Sequence, residues 1–239
     1  MANKIMSPAE YLARKARAKE LEENPAARLA VAFLLDISGS MEGTPIQQLN
    51  LGTKMMLREI LANDKARCSV ELCIIAFDHE MNCIREFSTI KEGEEIPEMV
   101  TKRGATHTGT AVNLALDRLE ERKAEYAASG VEYYQPWLVL ISDGEPYGED
   151  SDVTEAAIKR IADLTAEKDL TAYTVGVGDS INRETLARFS PENAPLHVDT
   201  IDQFHTLFKW LSSSVVEVAS HKPYHAAPKD VCQWQDFQP

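Results

Sequence analysis

Basic residues are in short supply in this sequence: 25 Lys and Arg face 38 Asp and Glu, a formal net charge of −13 over 239 residues. Binding nucleic acid through its phosphates needs a basic face, so the balance argues against that function. Basic partners or bound cations fit it better. Long hydrophobic runs are missing too. No apolar stretch approaches the roughly 18 to 20 residues that cross a bilayer, and the opening MANKIMSPAEYLARKARAKE lacks the apolar centre of a secretory signal. The expectation is a soluble, cytoplasmic protein with no membrane partner. Cysteine is sparse: Cys68, Cys73, Cys83 and Cys232 include no C-x-x-C pair. That excludes the usual zinc spacing and gives no disulfide framework. Three of the four sit in strand-like surroundings, where a reduced thiol packs as a small apolar group. The phosphate loop G-x-x-x-x-G-K-[ST] is absent, and Gly176 and Gly178 do not continue into G-x-G-x-x-G. No internal repeat is present.

What is there is organised around LAVAFLLDISGSME, Leu29 to Glu42. Leu29 to Leu35 is apolar at every position, the signature of a central strand buried on both faces of a parallel sheet. Around it the chain alternates strand and helix patterns. Ser7-Pro8-Ala9-Glu10 has the form of a capping box and predicts a helix over Pro8 to Glu23, with only a thin apolar stripe. Pro45 opens a helix carrying Ile46, Leu49, Met56, Leu57, Ile60 and Leu61. Cys68 to Asp78 reads as a strand, and MNCIREFSTI follows so soon that it must return as a hairpin, the antiparallel edge. KEGEEIPEMVTKRG reads as a polar connection with room for one helical turn. A long helix then follows the Thr-Gly-rich loop, with Ala111, Leu114, Ala115, Leu119 and Tyr126 near one face. WLVLIS gives a further strand, Ser151 to Lys168 a helix, Thr171 to Gly178 a strand, Asn182 to Phe189 a short helix and LHVD a short strand. Ile201 to Ser220 closes the pattern as a helix. Such alternation predicts an α/β fold: a mostly parallel sheet with one antiparallel edge strand and helices on both faces. The length suits one large domain, with residues 1–28 as a helical arm, 29–220 as the domain and 221–239 as a tail.

Three segments with hard-oxygen side chains leave the C-terminal ends of these elements. They are Asp36-Ile-Ser38-Gly-Ser40, Thr106-His-Thr108-Gly and Asp143-Gly-Glu145. Ligands of open α/β sheets bind at the carboxyl ends of the strands. Carboxylates and hydroxyls converging there suit Mg²⁺ or Mn²⁺ better than a soft metal.

This combination resembles the von Willebrand factor A domain with its metal-ion-dependent adhesion site, whose pattern is D-x-S-x-S, a distant Thr and a distant Asp. In DISGSMEGTPI, VELCIIAFD, GATHTGTAVNLAL, WLVLISDGEP and FHTLFKWLSSSV it is similar to the bacterial tellurite-resistance Y-like branch. The resemblance implies a Rossmann-like fold over about Leu29 to Ser220. It makes Ser38, Ser40 and Thr106 hydroxyl ligands, with Asp36 and Asp143 binding directly or through water. Thr108 and Thr110 lie close to the Thr position, and Thr106 is preferred because it aligns Gly109 and Ala111 with the family's helix start. The resemblance also implies binding of a partner protein that offers a Glu or Asp carboxylate to Mg²⁺ or Mn²⁺, without catalysis, in a stress-response or phosphosignalling setting such as tellurite resistance. His107, Glu42 and Glu145 flank the site. The alternative is a Mg²⁺-dependent phosphohydrolase with Asp36 as nucleophile; such enzymes need a second acid two residues on to protonate the leaving group, where this chain has Ser38.

Overall fold

The computed structural model describes residues 8–102, 104–143, 145–178 and 181–220. Ser7 of the capping box and the tail 221–239 therefore lie outside the described residues. In chain order the elements are α1 (Pro8–Glu23), β1 (Leu29–Asp36), α2 (Thr44–Ala62), α3 (Asp64–Ser69), β2 (Val70–Phe77), β3 (Met81–Thr89), α4 (Thr108–Ser129), β4 (Trp137–Ser142), α5 (Ser151–Ala166), β5 (Thr171–Val177), α6 (Arg183–Arg188), β6 (Leu196–Val198) and α7 (Ile201–Ser220), with a single 3₁₀ turn at Gly39–Met41. No described helix is long and apolar enough to cross a membrane.

The six strands form one sheet in the order β3-β2-β1-β4-β5-β6. All neighbours are parallel except β2 and β3, joined antiparallel through a tight turn, as the hairpin spacing predicted. Every residue of β1 is buried, and alternate side chains enter different layers. Leu29, Val31, Phe33 and Leu35 pack with Met56, Leu57 and Ile60 of α2 and Phe208 and Leu211 of α7. Ala30, Ala32 and Leu34 face Ala111, Val112 and Ala115 of α4 and Ala157 and Ile161 of α5. A large apolar side chain taken wholly out of water stabilises by about 1.5–3 kcal/mol, so a strand apolar on both faces is the natural centre. Small side chains on the α4 side let that helix lie close. Between α2 and α7 the Phe208 ring seats on Gly52, where an added Cβ would fall 2.1 Å from it.

Two sequence readings need correction. The strand expected from Cys68 begins at Val70, because Asn63 accepts hydrogen bonds from the Lys65 and Ala66 amides and starts the one-turn helix α3 through Ser69. The connection after β3 carries no helix among its described residues. Instead Arg85 holds it, donating to the carbonyls of Leu72, Ser88 and Thr89 and pairing with Glu94, where the β2–β3 register shifts.

A buried ionic cluster braces the N-terminal ends of the strands, opposite the edge that carries Asp36. Glu71, fully buried, accepts from Arg28 Nε at 3.1 Å, Arg122 Nε at 2.6 Å and Tyr126 Oη at 2.8 Å. Arg28 also donates to Glu20 and to the Ala26, Cys68 and Asn24 carbonyls. With Leu21 buried and Arg17 paired to Glu125, the cluster fastens α1 to α4 and to the sheet.

Candidate functional site

The order of the strands reverses between β1 and β4: β1 continues outward to β2 and β3 on one side, and β4 to β5 and β6 on the other. Chain segments leaving such a switch point diverge and open a crevice. Asp36 is the last residue of β1 and Ser142 the last of β4, with Asp143 next in sequence. Leu35 is in register with Ile141, so Asp36 and Ser142 stand side by side, and Ser142 Oγ donates to Asp36 Oδ2 at 2.7 Å. The other carboxylate oxygen, Oδ1, accepts from the Ser38 amide at 2.8 Å. This folds the chain over the strand end and brings Ser38 Oγ within 3.0 Å of Ser40 Oγ. Ser38 is buried and Ser40 exposed, so the pair runs from the interior to the surface.

Asp36 is wholly buried, and no Lys or Arg among the described residues pairs with it. Burial pushes its carboxyl up to about 6; hydrogen bonds from Ser142 and Ser38 pull against that, and the nearby Asp143 carboxylate adds a smaller upward push. An uncompensated buried carboxylate beside a second one is electrostatically unfavourable without a cation.

Thr106 is buried on the loop before α4. Its backbone makes a two-way bridge to Tyr147, Thr106 N to Tyr147 O at 2.8 Å and Tyr147 N to Thr106 O at 3.0 Å. The loop carrying Thr106 is thereby fastened to the loop that follows Asp143. His107 adds to the same joint: its amide donates to the Asp78 carbonyl at 2.9 Å, and its Nε2 lies 3.1 Å from Gly148 O. His107 is a tether between loops. Thr110 Oγ1 donates to Glu149 Oε2 at 3.1 Å, which occupies that hydroxyl. Thr108 Oγ1 is buried and makes no hydrogen bond to the protein. Asp78 Oδ2, at the end of β2, is buried without a hydrogen bond as well, with His79 Nδ1 3.1 Å away.

Two neighbours of the site escaped sequence reasoning. Ser142 looked like the end of an apolar strand, yet its hydroxyl orients Asp36. Glu149 accepts from the Gly109 amide at 2.6 Å, the Thr110 amide at 3.0 Å and Thr154 Oγ1 at 3.0 Å, capping α4 from 40 residues away. Close packing makes this possible, for a Cβ on Gly109 would fall 2.6 Å from Thr154 Cα. The flanking acids divide: Glu145 accepts from Asn182 Nδ2 at 2.6 Å, and the Glu42 side chain is exposed. Cys68, Cys73 and Cys83 are free thiols.

The residues expected from the sequence to hold a metal, Asp36, Ser38, Ser40, Thr106 and Asp143, carry oxygen donors alone. The buried carboxylate without a protein cation and the buried Thr108 hydroxyl without a partner both fit a hard divalent ion with ordered water at this edge.

The family model for the von Willebrand factor type A domain matches residues 30–211. Uncharacterized protein sll0103 of Synechocystis sp. is 27% identical over 158 residues, 66% of this chain. The chain spans only 34% of that relative's length. Among solved structures, a von Willebrand factor type A protein from Catenulispora acidiphila superposes with a TM-score of 0.59 at 12% identity, over 80% of this chain and 43% of that one. Proximal thread matrix protein 1 from the mussel byssus, solved with zinc in its metal-ion-dependent adhesion site (MIDAS) motif, gives 0.54 at 17% identity over 80% and 48%. At these identities the two structures speak for the fold.

Proposed function

This chain belongs to the von Willebrand factor type A domain family, and from that premise we propose that it is a protein-binding module whose grip on its partner depends on a divalent cation. The observation that carries this reading is the Asp36 carboxylate, buried at the switch point, hydrogen-bonded by neutral donors alone and pushed up to about 6 by burial. Such a group is suited to a bound cation.

Ser38, Ser40 and Thr106 would hold the ion through hydroxyls, and Asp36 and Asp143 directly or through water. All are hard oxygen donors, which favours Mg²⁺ or Mn²⁺; the mussel protein, whose motif holds zinc, makes Zn²⁺ the control to run beside them. Two carboxylates and three neutral hydroxyls just balance a divalent charge. When one carboxylate acts only through water, the ion stays electrophilic and attracts an anionic oxygen, which a partner supplies as a Glu or Asp side chain. The binding unit is residues 29–220, with α1 as a docked arm. Its three free thiols fit a reducing compartment, the cytoplasm. The resemblance of DISGSMEGTPI and GATHTGTAVNLAL to the tellurite-resistance Y-like branch points to a bacterial stress-response or phosphosignalling setting.

Catalysis by Asp36 is disfavoured on geometry. Both carboxylate oxygens are engaged, and the position two residues on, which a phosphohydrolase fills with an acid, is Ser38. Affinity capture from native lysate with Mg²⁺ or with EDTA tests the proposal. Partners should be retained with Mg²⁺, released by EDTA and lost from a Ser38→Ala bait. Mg²⁺-dependent hydrolysis of a phosphomonoester, abolished by Asp36→Asn, would overturn it.

A further inference from the structure

The loop after Asp143 reads DGEPYGED, residues 143–150: four acids, no base and one aromatic ring. Tyr147 is 71% exposed, the largest exposure among the large hydrophobic side chains of the described residues. Its backbone is nevertheless fastened in place. It bridges to Thr106 in both directions, His107 holds the next residue, Asn182 holds Glu145, and Glu149 is locked onto the start of α4. The ring is therefore presented to solvent from a fastened backbone, on the loop that bridges to Thr106. That arrangement does nothing for the core.

The loop's acids find no basic partner among the described residues. Glu145 is held by an amide, Glu149 by amides and hydroxyls, and Asp150 accepts from the Asp152 amide. Asp143, Glu145, Glu149 and Asp150 form no ion pair with Lys, Arg or His among the described residues. An exposed aromatic face on a fastened backbone, within a loop of unpaired acids, attracts a cation twice over, through the ring quadrupole and through the field. Interfaces concentrate their energy in such aromatic anchors.

Resting on the cation-dependent binding proposed above, we propose that Tyr147 and its acidic loop read the residues next to the partner's metal-directed carboxylate, and that these include an arginine or lysine. The partner segment thus carries both signs: an acid for the ion, and within about two residues a base that lies on the Tyr147 ring. A purely acidic segment is rejected by the loop's own charge.

A displayed library of random heptapeptides, selected on the protein in Mg²⁺ and eluted with EDTA, tests this. Eluted peptides should carry Glu or Asp with Arg or Lys within two positions, more often than the unselected library. Tyr147→Ala should bind them about tenfold more weakly and Tyr147→Phe should retain them. Both variants should keep the rise in Tm that Mg²⁺ gives the wild type, since only an exposed ring is altered. EDTA-eluted peptides with an acid but no excess of bases, or equal binding to Tyr147→Ala, would overturn the inference and leave cation-dependent binding standing. A wild type with no Mg²⁺ response and no EDTA-eluted peptides removes both readings together.

Discussion

At the scale of single residues, Asp36 carries a measurable consequence. Its carboxyl is raised from 3.8 to about 6 in the folded protein, so between these values the native state binds more protons than the unfolded chain. Stability of the chelated protein should therefore fall as pH rises from about 4 to about 6, and level off above. The loss is on the order of 3 kcal/mol, from 1.36 kcal/mol per pKa unit. Asp36→Asn keeps an acceptor for the Ser38 amide and a donor for Ser142 but carries no charge. In EDTA it should melt above the wild type at pH 8 and converge with it near pH 4; melts across that range check it. A variant that melts below the wild type at every pH would make Asp36 a structural cap. Ser142 explains why part of this was invisible in the sequence. The D-x-S-x-S motif announces itself within five residues, whereas the Ser142 hydroxyl meets Asp36 across 106 positions, through strand register alone.

At the scale of elements, the strands were legible and the joints between them were not. All eight residues are buried in β1 and in β2, and apart from Asp36 and Glu71 all of them are apolar, a pattern that no surface element would tolerate. A six-residue helix such as α3 has too few positions for a period to show. The cap on α4 comes from Glu149, 39 and 40 residues beyond the amides it binds, and no local pattern marks it. Removing it should be felt. Glu149→Ala strips the Gly109 and Thr110 amides and the Thr154 hydroxyl of their acceptor, and should cost about 1–2 kcal/mol in a thermal or urea melt. Because α4 begins two residues after Thr106, the same variant should weaken the response to Mg²⁺. A melt unchanged within about 0.5 kcal/mol would show that water replaces the cap.

Across the whole molecule, the sheet separates the ionic cluster from the proposed binding site. The N-terminal strand ends meet the Arg28–Glu71–Arg122 cluster, and the C-terminal ends carry Asp36 and Ser142. Glu71, a charge inside VELCIIAF, was a signal that the sequence analysis passed over, since a buried acid in a central strand needs a partner. Arg28 and Arg122, which flank it in space, lie 43 and 51 positions away. Glu71→Ala should destabilise by roughly 3–5 kcal/mol, because it strands two buried guanidinium groups. The protein that remains folded should still respond to Mg²⁺, as the cluster lies at the opposite end of the strands. Urea melts with and without Mg²⁺ separate the effects; a folded Glu71→Ala protein indifferent to Mg²⁺ would break the division.

The most direct measurement is calorimetric titration of the chelator-stripped protein with Mg²⁺, and with Mn²⁺ and Zn²⁺ in parallel, for the wild type and for Ser38→Ala, Thr106→Ala and Asp143→Ala. One Mg²⁺ or Mn²⁺ should bind the wild type in the micromolar to millimolar range, with little preference for Zn²⁺. Each variant should fold as the wild type does in EDTA yet lose that binding. Mg²⁺ binding that persists in all three variants, or tight Zn²⁺ binding with no response to Mg²⁺, would contradict a hard-cation site at the β1–β4 switch point.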